Sequence, residues 1–153
     1  MTDNISKVDP LVILPVLKQI PLFSNLDENL HKEIIEHIVL MYYPSNYTIF
    51  NKGDKGEALY IVKSGGVSVY EEVNDDIAKD PEIARIGSGG FFGEMALISE
   101  APRNASVKTL NESEIFILSK LDFDNLLRSN PTLAEQISST VVSRINENNN
   151  QEK

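Results

Sequence analysis

The sequence predicts a mainly β fold with helices at both ends, its strands forming an antiparallel sandwich or barrel. Three observations carry this. After Pro44, short stretches rich in Tyr, Ile and Val are punctuated by glycines, the pattern of consecutive short strands. On either side of that region apolar residues recur at helical spacing. The 153 residues, 41% of them hydrophobic, suffice for one domain around one core and are too few for two well-developed ones.

Residues 1–43 read as a helical lead-in. Asp9 and Pro10 have the character of an N-cap and first helical position, and Pro15 limits or kinks the helix that follows. A better-defined helix is expected from about Asp27 to Val39, with Leu30, Ile34, Ile35 and Ile38 on one face. Residues 44–120 hold the strand candidates "YTIFNKGDKG", "EALYIVKSGG", "VSVYEEV", "EIARIGSGG", "ASVKTL" and "EIFILS". The acidic stretch from Glu71 to Glu82 has few apolar residues and is expected as a solvated hairpin loop. Helical spacing returns over residues 121–146. Asp122 is a capping candidate, Phe123, Leu126 and Leu127 face inward, and Asn130 with Pro131 breaks the run. From Pro131, Leu133, Ile137, Val141 and Ile145 recur every four residues, an apolar stripe about 22 Å long over about 15 residues. Residues 147–153 lack core-forming side chains and are expected as a disordered tail. No internal repeat is visible.

Composition restricts the function classes. A net charge of -9 argues against a nucleic-acid partner, whose affinity rests on clustered Lys and Arg neutralising phosphates. An anionic ligand then needs a local positive site. With no cysteine there is neither a disulfide framework nor a thiolate nucleophile, which suits a reducing compartment, and a cytoplasmic location is expected. The longest apolar run, "LVILPVL", is far short of the roughly 20 residues of a membrane span, and no signal peptide or membrane anchor is expected. His31 and His37, the only histidines, are six apart on the second helix and do not converge; both are expected at the surface or its boundary, and no metal site is expected.

The most informative stretch is "FFGEMALISEAPRNASV", residues 91–107. Gly89, Gly90 and Gly93 let the backbone turn tightly and approach a ligand, and "EMALI" follows as a short helical turn whose first amides suit an anion. Arg103, set by Pro102, offers a planar fork that matches two phosphate oxygens better than an ammonium does. Glu94 would repel a phosphate, so its carboxylate is assigned to a sugar hydroxyl and to bracing the arginine. A small ligand presenting a ribose hydroxyl and a phosphate a few ångströms apart is a cyclic mononucleotide.

These residues resemble the cyclic nucleotide-binding domains of catabolite activator proteins, cyclic-nucleotide-dependent kinase regulatory subunits and gated channels. Phe92, Gly93, Glu94, Met95, Ala96, Leu97, Pro102, Arg103, Ala105, Ser106 and Val107 match that family's phosphate-binding cassette without insertion. Gly53, Asp54, Gly56, Tyr60, Ile61, Val62 and Gly65 match its upstream glycine signature, and "IPLFSNL" from Ile20 its helical lead-in. The resemblance spans roughly residues 15–145. It implies a double-stranded jelly-roll β-sandwich of eight strands, with N-terminal helices, two C-terminal helices and a cassette over residues 92–107.

By the same resemblance Gly93, Glu94, Met95, Ala96, Arg103, Asn104 and Ala105 surround the ligand. Glu94 would hold the ribose 2′-hydroxyl, Arg103 the cyclic phosphate, and the amides of Ala96 and Ala105 further oxygens. Ala84 and Ile86, two apart and so on one strand face, are placed at the base, and Val141, Val142, Arg144 and Ile145 are lid candidates on the final helix. Asn104 departs from the common Ala, Ser or Thr; cAMP is favoured over cGMP as the ligand.

The expected function is a cyclic-nucleotide-sensing regulatory module, not an enzyme, whose C-terminal helices change on binding and signal to an unknown protein effector. The chain ends at Lys153, too soon after Pro131 for a helix-turn-helix, and a stand-alone member is expected. The apolar stripe of the last helix also admits a homodimer. The alternative is a nucleotide-independent protein-interaction domain on the same fold. A metal-dependent enzyme on a similar sandwich would draw histidines from its strands, and no strand candidate contains one.

Overall fold

The structure, a computed structural model, describes residues 9–71 and 81–151, with the helical backbone alone for 144–151. The described chain divides into two units, Ile38–Lys120 and residues 9–37 with 121–151.

The first unit is the predicted sandwich. Its strands are β1 (Val39–Tyr43), β2 (Thr48–Phe50), β3 (Ala58–Ser64), β4 (Gly66–Tyr70), β5 (Glu82–Gly87), β6 (Phe91–Phe92), β7 (Ser106–Thr109) and β8 (Ser113–Ser119). They form two four-stranded antiparallel sheets of order β1-β8-β3-β6 and β2-β7-β4-β5, an eight-stranded jelly roll. Sequence neighbours β3 and β4 lie in different sheets, so the chain crosses at Gly65. There φ is +86°, and a Cβ would stand 2.3 Å from Ser113 Oγ and 2.5 Å from the Glu112 carbonyl oxygen. Val62, Val67, Phe92, Val107 and Ile115 form the core of the sandwich.

The central strand β3 reads as a continuous apolar run because Ala58, Leu59, Ile61 and Val62 are all buried. On β5, Ala84 stands opposite Val69 and Ile86 opposite Val67, so the two residues expected at the base do share one face of the sheet. Ile86 packs against the core and Ala84 is exposed. Most of the acidic stretch, residues 72–80, lies outside the described residues.

β1 begins at Val39, ahead of the expected boundary at residue 44. The helix expected up to Val39 stops at Ile35, because the run Val39–Tyr43, with a β-branched residue at its start and two tyrosines at its end, pairs along its whole length with β8. Long-range pairing overrides the local helical period at that point.

In the second unit, α1 (Pro10–Leu17) carries Pro10 in its first turn and Pro15 inside, and the Asp9 carboxylate accepts the Leu11 amide at 2.9 Å. In α2 (Glu28–Ile35) the carboxylate of Asp27 accepts the Leu30 amide at 2.9 Å. His31 corrects the expectation of a surface histidine: it is 1% exposed. One position after Leu30 and three before Ile34, it lies on the widened apolar face, and its Nε2 donates to the Phe23 carbonyl at 2.8 Å. His37 is half-buried, at the boundary as expected.

The third helix, α3 (Lys120–Ser129), starts before Asp122, which therefore sits in its first turn rather than at a cap. Phe123 and Leu126 are buried, and Phe123 packs on Phe23 with ring centroids 5.9 Å apart. The Asn130 side chain accepts the Leu133 amide at 3.1 Å, capping α4 (Pro131–Gln151). Leu133 and Ile137 of the predicted stripe are buried and Val141 is half-buried. The backbone stays helical through Gln151, past the boundary of the expected disordered tail, since Asn, Glu and Gln tolerate a helix already nucleated upstream. Among the described residues no helix is long and apolar enough to cross a membrane.

Candidate functional site

The stretch singled out by sequence folds as β6, a 3-10 turn at Glu94–Leu97, a loop and β7. Gly93 opens the turn at φ +79°, a conformation that side chains with a Cβ rarely adopt. A Cβ there would lie 2.7 Å from Arg103 Nη1 and 3.1 Å from the Ala58 carbonyl oxygen. Gly56, from the upstream signature, is restricted by space alone: its Cβ would meet that of Ala96 at 2.8 Å, and Arg103 Cζ would lie 3.6 Å away, in ordinary contact. The two glycine motifs, far apart in sequence, therefore close around one arginine.

Arg103 is fixed from backbone to tip. Its amide donates to the Asp54 carbonyl at 2.7 Å and its own carbonyl accepts the Gly53 amide at 2.8 Å, while Lys55 bridges to Pro102. The Gly53–Asp54 turn thus holds the arginine's main chain as a strand partner would. The Asp54 carboxylate accepts the Asn51 amide at 2.9 Å, closing that turn. At the tip, Nη2 donates to the Ala58 carbonyl at 2.9 Å and Nη1 to the Gly93 carbonyl at 3.4 Å. The guanidinium carbon lies 4.1 Å from the centroid of the Phe50 ring and 5.7 Å from that of Tyr60.

Burial lowers the arginine's pKa from its ordinary value, opposed by the nearby Tyr60, Asp54 and Glu57. Burial likewise raises that of Tyr60, and Arg103 pulls it back. Nε is buried and makes no hydrogen bond within the described residues. A guanidinium carries five N–H donors; a desolvated one with donors to spare is suited to an anion.

Arg103, Asn104, Gly93, Glu94, Met95 and Ala96 border a cavity of about 360 Å³, within the roughly 300–1,000 Å³ range of small-molecule sites. Glu94 Oε2 is buried and Met95 is exposed. Ala96 differs from expectation in its amide, which donates to the Gly93 carbonyl at 3.1 Å and closes the 3-10 turn. Ala105 is buried behind the loop, and neither it nor Ala84 or Ile86 lines this cavity. Of the lid candidates, Val142 is 55% exposed on α4, Val141 is half-buried, and the side chains of Arg144 and Ile145 lie outside the described residues. Among the described residues no group of three or more His, Cys, Asp or Glu is arranged to hold a metal.

Three contributors had no sequence signal of their own. Phe50 lies under the guanidinium, the Ala58 carbonyl receives it, and Lys120 secures the far end of the turn. Lys120 Nζ donates to the carbonyls of Ala96 at 3.2 Å and Leu97 at 3.3 Å and lies 3.7 Å from Glu100 Oε1. A cation at the C-terminal carbonyls of a helical turn meets their partial negative charge. The spacing of Gly53, Asp54 and Gly56 did mark their loop, though not its hold on the Arg103 backbone.

The chain is similar to known proteins along most of its length. The family model of the cyclic nucleotide-binding domain matches residues 40–130. A cyclic nucleotide-gated potassium channel of Rhizobium etli is 34% identical over 125 residues, covering 82% of this chain and 33% of the channel. The cyclic AMP receptor protein of Thermus thermophilus is 30% identical over 131 residues, covering 86% of this chain and 60% of the receptor. The chain thus spans from a third to three-fifths of the length of these relatives. Among solved structures, the regulatory domain of Toxoplasma gondii PKA, crystallised with cAMP, superposes with a TM-score of 0.68 at 28% identity, covering 75% of this chain and 43% of that one. With a family model matching more than half of its residues, the chain belongs to the cyclic nucleotide-binding domain family.

Proposed function

We propose that this chain binds one cyclic mononucleotide, cAMP in preference to cGMP, and acts as a regulatory module rather than an enzyme. The observation that carries the reading is Arg103: a half-buried guanidinium, anchored by two main-chain carbonyls, that retains donors beside a cavity bordered by Glu94. Arg103 takes the cyclic phosphate and Glu94 the ribose 2′-hydroxyl, with Asn104 at the rim beside the phosphate. The base extends beyond the cavity at Arg103 towards Ala84 and Ile86, which share one apolar strand face. The names of the Thermus receptor and the Toxoplasma complex support cAMP over cGMP. Occupancy shifts the populations of α3 and α4, to the extent that the ligand binds one arrangement more tightly than the other, and a protein effector reads that shift.

Calorimetry with cAMP and cGMP tests this. One cAMP per chain is expected, and Arg103→Ala should weaken it on the order of a hundredfold, or about 3 kcal/mol, the scale of a charge-assisted bond in a partly desolvated site. Arg103→Lys should recover only part of the loss, because a point charge lacks the fork. Hydrogen exchange over residues 131–146 should slow with cAMP. Absence of binding by either nucleotide would leave the fold to a nucleotide-independent role in protein interaction, and unchanged exchange would remove the final helix from the signal.

A further inference from the structure

We propose that Phe50 is a positioning residue for nucleotide recognition: its ring face, 4.1 Å from Arg103 Cζ, sets the plane in which the guanidinium meets the phosphate. This rests on the assignment of the phosphate to Arg103 and extends it to a residue outside both sequence motifs.

Besides its interaction with the Tyr60 hydroxyl, the guanidinium tip is held by two carbonyl bonds of unequal strength. Nη2 has a firm partner in the Ala58 carbonyl, whereas the 3.4 Å from Nη1 to the Gly93 carbonyl is long for a hydrogen bond. A planar group held firmly at one corner can rock about that corner, and an aromatic face pressed against the plane stops it. The attraction between a cation and a ring face strengthens as water is removed, and this guanidinium is half-buried.

The ring is itself held in place. Its centroid lies 5.8 Å from that of Tyr60 and 6.0 Å from that of Phe92, and those two stack on each other at 5.0 Å and 9°. Phe50 reaches this position through an irregular strand pairing. Thr48 stands opposite Lys108, yet Phe50 stands opposite Val107, so the register slips by one residue between them. Such a bulge turns the side chain that follows it. Phe50 is half-buried rather than enclosed, and the arginine covers part of what a core phenylalanine would bury in apolar neighbours.

The test measures cAMP affinity by calorimetry for Phe50→Leu, Phe50→Tyr and Arg103→Ala, together with a series in which Phe50 carries one, three or five ring fluorines. Phe50→Leu keeps an apolar side chain and removes the face; it should weaken cAMP about tenfold, equivalent to about 1.4 kcal/mol. Phe50→Tyr should bind within about twofold of the parent, since it keeps the face. Fluorination drains the negative face with little change in shape, so affinity should fall stepwise along the series. That readout persists if Phe50→Leu does not fold, and a purely packing role would not move it. Unchanged affinity across the fluorinated series, with Arg103→Ala still losing binding, would overturn the role of Phe50 and leave the nucleotide site standing. Unchanged affinity in Arg103→Ala as well would remove the site assignment itself.

Discussion

Gly93→Ala separates backbone strain from displacement of the arginine. At φ +79° an alanine costs roughly 1–2 kcal/mol for its left-handed backbone alone, which for a chain of this size lowers Tm by roughly 2–8 °C. The added Cβ would also stand 2.7 Å from Arg103 Nη1, so the guanidinium must retreat by at least 0.3 Å (3.0 minus 2.7) to clear it and by 0.7 Å (3.4 minus 2.7) to reach ordinary contact. It cannot be spared by a shift of the new methyl towards Ala58, whose carbonyl oxygen is already 3.1 Å away and belongs to the backbone of the central strand β3. A retreat of that size breaks the Nη1 contact with Gly93 and tilts the fork, which should weaken cAMP binding on the order of tenfold.

Gly89→Ala supplies the control. Its φ is +86°, nearly the same, but nothing lies within 4 Å of its added Cβ. Both variants should lose similar stability in thermal unfolding, and only Gly93→Ala should lose affinity in calorimetry. If the two behaved alike in both assays, the space at Gly93 would have no bearing on the arginine and the site geometry drawn here would be wrong.

Two further outcomes follow from single contacts. Lys120→Met keeps the aliphatic stem and removes the ammonium from the Ala96 and Leu97 carbonyls; urea unfolding should report a loss of about 1.5 kcal/mol, and exchange over residues 94–97 should quicken, whereas unchanged values in both would make Lys120 a bystander. Burial pushes the Tyr43 phenol from 10.0 up to about 12, with Tyr60 and Tyr47 adding to the effect. Because the folded pKa lies above the unfolded one, the neutral phenol stabilises the fold fully below pH 10, and that contribution is lost as pH rises from 10 to about 12. Tyr43→Phe should flatten the fall in stability across that window, and an equally steep fall would place its cause in other groups.

Strands, turns and caps were legible because their causes are local. The Tyr, Ile and Val runs between glycines became six of the eight strands, Asp9 and Asp27 cap the helices they precede, and Gly93 takes the positive φ its motif requires. The errors occur where distant segments compete. Val39 continues a helical period in sequence, yet β8 claims it as an edge partner. His31 looked like a polar side chain on a helix, yet the Phe23 carbonyl receives its ring nitrogen and allows it inside.

By itself the sequence determined the class of fold, the two glycine motifs, and that a glutamate and an arginine flank one short stretch of a chain of net charge -9. Only the tertiary structure decided what surrounds that arginine: the ring of Phe50, the carbonyl of Ala58, the peptide groups of Gly53 and Asp54, and, behind the turn, the ammonium of Lys120. The physical reason is that backbone carbonyls and ring faces are common to many residues. They acquire a role only when chain crossings and strand register bring them within about 4 Å of a charge whose burial makes each such contact count.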